Sequence, residues 1–410
     1  MENALQQAAA LLNLPHWPPR PDLIFWTALT LVLAALAGDL AQRLRLPRLL
    51  GYGAVGMLMA GLGHGVAESG LQGTDRLVVD LALAVLLFEL GSRVNLHWLR
   101  LNKMLWVASL AESALGFAAV FGTLRAFDFS VQQALAGSAV LGITGGAMIG
   151  RLAAETRAAG QVTERMLVFS ALNLLYGVLL LKLVSAGLHF SGPEETTQAI
   201  AHGLAQPLYA FAGAVVLAVL LASAIGRVLR HAELREENSA LLILGLLLLG
   251  LSVARALALS TLLLPLLAGV LLRNRSARPC IWPRHFGTAG GVLVLLLFVI
   301  VGAAWSTQAL MSGGLVAAAL LAARWAVKAL ALTSFAHLSG IEARQGLALS
   351  LTLTPVSATA LVLLADLQQS LPELAKALTP VVLSAAALMV LLGPVLVLMG
   401  LRLAKEHHES

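Results

Sequence analysis

Seven ionisable residues interrupt the apolar stretches of this 410-residue chain: Asp80, Glu89, Glu112, Lys182, Arg324 and Lys328 within them, and Asp366 near an end. An unpaired charge at the centre of a bilayer costs about 2.5 to 3.5 kcal/mol. Six would cost on the order of 15 to 20 kcal/mol, more than the whole stability of a typical protein. They must be paired, hydrated or neutral, and groups retained at such a cost bind or relay protons and small ions. Arg324 and Lys328 stand four residues apart and share a helix face, so carboxylates or helix carbonyl ends are expected opposite them. Lys328 reads as a site residue or as a structural cation, and Arg324 and Asp80 as charge partners. Asp80 and Glu89 lie on opposite faces of their helix. Lys182 follows Asn173 by about two and a half turns, pointing away from it and toward the interface, where long side chains snorkel. Glu112, between Ser109 and Ser113, reads as a hydrogen-bonded neutral acid or as a proton carrier.

The elements that would position these groups are two interrupted segments. The apolar run through residues 135–153 is broken by Gly142, Thr144, Gly145 and Gly146, and the next carries Asn173. The run over 343–366 is broken by Thr352, Thr354, Pro355, Ser357 and Thr359. A membrane helix gives up its hydrogen-bond ladder only where protein or trapped water re-satisfies the freed groups. One break reads equally well as a simple Gly or Pro kink, whereas two in corresponding halves mark a binding site, with Thr144, Asn173, Thr354, Ser357 and Thr359 as its polar ligands.

Composition sets the medium. With 59% hydrophobic and 12% charged residues and a mean hydropathy of +0.87, the chain reads as an integral membrane protein. Apolar runs of helix-spanning length, without the alternation of a barrel, make it all-α. A net charge of +6 does not indicate nucleic acid, because the arginines gather in short loops between apolar runs. The single cysteine, Cys280, excludes an internal disulfide and a cysteine-rich metal centre, and His64, His189, His202 and His337 fall at span ends or in loops. Neither a His-Glu-x-x-His pair nor a nucleophile with its base is present, so no enzyme, metal site or cofactor is expected. The Pro-rich first 22 residues lack the form of a cleavable signal.

About thirteen spans are expected, including 239–255, 257–273 and 343–366. Repeat one covers 23–188, a linker helix 205–228 and repeat two 239–402, between an N-terminal segment of 1–22 and a short cytoplasmic tail of 404–410. Loops rich in arginine alternate with loops nearly free of it, which places the N-terminus outside, the C-terminus inside and the two six-helix repeats in opposite topology.

Several stretches together resemble one family. LPRLLGYGAVGMLMAGLGHG, LALAVLLFELGSRVNLHWLR, SAVLGITGGAMIGRLAAETRAAG, LLPLLAGVLLRN, LFVIVGAAW, AARWAVKALA and LALSLTLTPVSATALVL follow, in order and over nearly the whole chain, the motifs of bacterial monovalent cation:proton antiporters. The branch they resemble includes the glutathione-gated potassium efflux antiporters. The resemblance implies two broken helices crossing near the midplane, a dimerisation domain beside a mobile core, a homodimer in the inner membrane among lipids, and exchange of Na⁺ or K⁺ for protons by alternating access.

The departures carry chemistry. The family's ion-binding Asp, on the helix after the first break, falls against Asn173 or, in the other alignment, against Leu174. Lys328 matches the family's basic residue and Thr144 its first-break hydroxyl, but the family's "E-l-D" is Arg93-Val94-Asn95, and its "R-G-E" gives way to Val-Ser-Ala-type residues. No nucleotide-sensing domain is expected after Arg402. An amide coordinates a cation yet releases no proton, so coupling must run through Glu89, Glu112 or Lys328. A same-fold transporter of an anionic or neutral solute, and a non-transporting sensor-like relative, are the alternatives.

Overall fold

The computed structural model describes residues 23–65, 73–189, 197–231, 236–275, 284–356 and 358–407. Ser357, Cys280, the Pro-rich N-terminal segment and residues 408–410 lie outside them, as do the side chains of His64, His189 and His202. Among the described residues the regular structure is entirely helical. In chain order the helices are α1 (Leu23–Arg43), α2 (Arg48–Met59), α3 (Gly73–Arg93), the short α4 (Leu96–Leu101), α5 (Lys103–Ala126), α6 (Val131–Leu141), α7 (Gly146–Glu155) and α8 (Gln161–His189). They continue as α9 (Thr197–His231), α10 (Glu236–Ala256), α11 (Leu263–Arg275), α12 (Arg284–Ala303), α13 (Thr307–Ser334), α14 (Ala343–Thr352), α15 (Ala358–Ser370) and α16 (Pro372–Ala404).

Local chemistry explains the starts. Ser130 and Gln133 close a capping box on α6, Glu342 and Gln345 do the same on α14, and the Ser306 hydroxyl accepts from the Ala309 N–H to begin α13. Length and apolarity alone qualify seven described segments to cross a membrane: most of α1, α5, the α6–α7 pair, α8, the central part of α9, α13 and α16. α3 fails the composition test because it carries Asp75, Arg76, Asp80, Glu89 and Arg93, charges that the fold pairs in part.

The span expected at 257–273 starts later, at Leu263. Ala258 takes a left-handed φ of 53° and the Ser260 hydroxyl accepts from the Leu263 N–H, so the intervening residues form a turn. Pro265 falls in the first turn of α11, where a missing N–H costs nothing.

Two packed groups result. α1, α2, α3 and α9 to α12 form one; α5 to α8 and α13 to α16 form the other. Within the first, α3 and α11 cross at paired glycines: a Cβ on Gly91 would stand 2.2 Å from the Leu266 carbonyl, and one on Gly269 2.2 Å from that of Phe88. No larger residue fits there without separating the helices. α3 against α7, α2 against α16, and α8 against α9 join the groups.

The tail does not run free. Beyond α16, Lys405 turns left-handed (φ 59°) and Glu406 folds onto the start of α8, where its carboxylate accepts from the Val162 N–H (2.9 Å), the Thr163 N–H (2.8 Å) and the Thr163 hydroxyl (2.9 Å). An acid at a helix N-terminus satisfies donors that have no partner within the helix.

Candidate ion site at the crossing of two broken helices

Both expected breaks are present. α6 ends at Leu141 and α7 starts at Gly146; α14 ends at Thr352 and α15 starts at Ala358. The breaks touch: the Gly145 N–H donates to the Pro355 carbonyl (2.8 Å), and the Thr144 hydroxyl to the Leu353 carbonyl (3.0 Å). Four helix ends therefore meet in the interior, two of them presenting carbonyls that no intrahelical N–H can satisfy.

Arg324 and Lys328, both fully buried on α13, supply the missing donors. The Arg324 guanidinium donates to the carbonyls of Gly142 (3.1 Å) and Ile143 (3.0 Å) at the end of α6, to that of Thr354 (3.0 Å) beyond the end of α14, and to the Thr144 hydroxyl oxygen (3.2 Å). It clasps both negative helix ends at once.

Lys328 lies one turn on. Its Nζ donates to the Thr144 hydroxyl oxygen (2.8 Å) and the Leu353 carbonyl (2.9 Å) and forms an ion pair with Glu112 Oε1 from α5. Two of the three N–H donors of the ammonium bond these neutral oxygens, and the carboxylate oxygen pairs with it by charge. Gly116, one turn beyond Glu112 on the same face, lies beside the lysine: a Cβ placed there would meet Lys328 Cε at 3.5 Å, an ordinary van der Waals contact.

The other Glu112 oxygen, Oε2, accepts from the Ser113 hydroxyl (3.1 Å), which itself accepts from Asn173 Nδ2 (3.0 Å), and Asn173 Oδ1 accepts from the Thr144 N–H (2.7 Å). A backbone N–H can only donate, so the amide orientation of Asn173 is fixed. Its oxygen is committed to the backbone of the first break, which makes Asn173 a brace for the site. The Thr144 hydroxyl is also saturated, with one proton given to Leu353 and both lone pairs occupied by Lys328 and Arg324.

Thr144, Asn173, Arg324, Lys328 and Glu112 thus form one buried network. Thr354 contributes its carbonyl, while its hydroxyl donates to the Ser350 carbonyl (2.7 Å) of its own helix. Thr359 is buried in the first turn of α15. Glu89 is held by Arg93 (2.8 Å) outside the network, and Asp80 pairs with Arg255 and, at 3.7 Å, with Arg76, away from Arg324. Sequence reasoning did not assign Ser113 to the site, nor the carbonyls of Gly142, Ile143 and Leu353. The spacing of Glu112, Ser113 and Gly116 is the signal for Ser113; the carbonyls have none, because every residue carries one.

Two broken helices crossing at a buried, charge-paired centre are the arrangement of a secondary transporter's ion site. The model of the family "Sodium/hydrogen exchanger, transmembrane" matches residues 28–398, and the chain belongs to that family. Among solved structures, the sodium proton antiporter MjNhaP1 of Methanocaldococcus jannaschii at pH 8 shares the fold at a TM-score of 0.64 and 16% identity, over 93% of this chain and 95% of that one. An electron-microscopy structure of the same antiporter gives 0.69 at 16% identity, over 95% of this chain and all (100%) of that one.

Proposed function

We propose that this protein exchanges a monovalent cation, Na⁺ or K⁺, for protons by alternating access, with Lys328 and Glu112 as the coupling pair. Family membership supports cation:proton exchange in general. The observation that carries the finer reading is the coordination of Lys328 Nζ by three oxygens from three elements: Glu112 Oε1 on α5, Thr144 Oγ1 in the first break and the Leu353 carbonyl in the second. The ammonium occupies the place of a bound cation. When it releases its proton and withdraws, those oxygens are freed for one monovalent ion, and when it is reprotonated they are reclaimed. One positive charge replaces another, so the cycle exchanges one cation for one proton.

The basic loops support an N-terminus outside and a C-terminus in the cytoplasm of the inner membrane. The two packed groups support a scaffold through which a homodimer assembles and a core that moves.

In proteoliposomes holding a pH gradient, addition of Na⁺ or K⁺ to the wild type should dissipate the gradient, and Lys328→Met should abolish the response. A wild type silent toward both ions from mildly acidic to mildly alkaline pH ends the proposal. The second reading, transport of an anionic or neutral solute, is favoured by two buried cations facing one carboxylate. Solute uptake indifferent to Na⁺, K⁺ and pH would establish it.

A further inference from the structure

A cavity of about 550 Å³ lies between the start of α3, the later turns of α8, α9, the α10–α11 turn and α15. Val178 of α8 and Leu363 of α15 line it, within two turns of Asn173 and Thr359 respectively, so the cavity sits above the buried network. The proposed orientation puts it on the external side.

Its charged walls are Arg76, Lys182, Arg255 and Asp366, with the buried Asp80 behind them. Arg76 spans Asp366 (2.5 Å) and Asp80 (3.7 Å), and Arg255 pairs with Asp80, so two carboxylates balance two guanidiniums. Lys182 is left over. It is half-buried on the wall, and it makes no hydrogen bond or ion pair with a described residue. The neutral donors Ser185, Gln206, Ser260 and Thr261 line the same cavity. Among the described residues, three cations against two carboxylates give a surplus of one positive charge in a partly enclosed space, where charge is screened less than in open water. The space is large enough for an ion with its hydration or for a short organic acid.

We propose that this cavity binds a small monovalent anion, a halide or short carboxylate, against Lys182 and the neighbouring hydroxyl and amide donors. One anion brings the cavity to neutrality. A cation entering from this side then meets an uncharged vestibule, so the anion promotes loading of the site below.

Binding is read without reference to transport, so a failure here leaves the exchange reading intact, and the reverse. Thermal unfolding of the purified full-length protein is followed in a low-salt zwitterionic buffer as choline chloride, tetramethylammonium chloride or choline acetate is titrated, salts that hold neither Na⁺ nor K⁺. The two chlorides should raise the midpoint along the same saturating curve, and acetate should saturate too. Lys182→Gln should weaken half-saturation about tenfold or more, the loss of a hydrogen bond to a charged group. Lys182→Arg should retain saturation. A midpoint that differs between the two chlorides, that rises without saturating, or that responds equally in Lys182→Gln overturns the proposal; so does loss of saturation in Lys182→Arg, which stands as the test should the glutamine variant not fold.

Discussion

Lys328 of α13 and Glu112 of α5 form an ion pair whose side chains are both fully inaccessible to solvent. Breaking such a pair from one side strands a charge at a cost of about 3 to 5 kcal/mol, whereas replacing both partners with apolar groups is often neutral. Glu112→Leu and Lys328→Met should therefore each lower the unfolding free energy by about that amount, and the double variant should recover most of it. All three should be inactive in exchange. Chemical denaturation of the purified variants measures the stabilities, and additive losses in the double variant would show that the pair is not coupled.

Replacement of one cation by one proton carries no net charge, so wild-type exchange should be indifferent to an imposed membrane potential. Asn173→Asp places a second carboxylate on the Ser113 side of the network, where the Asn173 amide now donates (3.0 Å). It adds a protonatable group to the cycle, and exchange by this variant should become sensitive to potential. Flux in proteoliposomes clamped with valinomycin and potassium, using Na⁺ as the transported ion, reads both outcomes.

Ser113 holds two polar groups that have no substitute. Ser113→Ala leaves Glu112 Oε2 without its donor and Asn173 Nδ2 without its acceptor, and each stranded group costs about 1 to 3 kcal/mol. We expect a loss of about 2 to 6 kcal/mol, with partial recovery in Ser113→Thr, which keeps the hydroxyl. Denaturant titration of the two variants checks the order.

The Glu406 clasp depends on Gly160, whose φ of 150° and missing side chain admit the carboxylate; a Cβ there would lie 2.3 Å from Glu406 Cδ. Gly160→Ala should free amide hydrogen exchange over residues 160–165 more than Glu406→Gln, which loses charge but retains an acceptor. Mass-spectrometric hydrogen exchange compares them, and equal protection in both variants would remove the steric argument.

The broken helices were legible because Gly142, Gly145, Pro355 and the surrounding hydroxyls are poor company for a continuous helix, and Arg324 and Lys328 because charge in an apolar run demands partners. Which partner each charge takes was not legible. Asp80 and Glu89 look as suitable as Glu112 in a linear reading, but Arg255 and Arg93 claim them, and α5 reaches α13 only through tertiary packing. The role of Asn173 turned on one hydrogen bond: its oxygen serves the Thr144 N–H, which no spacing rule announces. The turn before Leu263 was hidden because Leu257 to Leu262 is as apolar as the helices it joins.

The carboxylate that closes the start of α8 belongs to residue 406, and the helix it closes carries Asn173. Residue 406 lies far beyond α8 in the chain, so in a growing polypeptide the Val162 and Thr163 amides have no acceptor but water until α16 has been made and the residues after it fold back. The helix that carries Asn173 thus takes its cap from a segment made well after it.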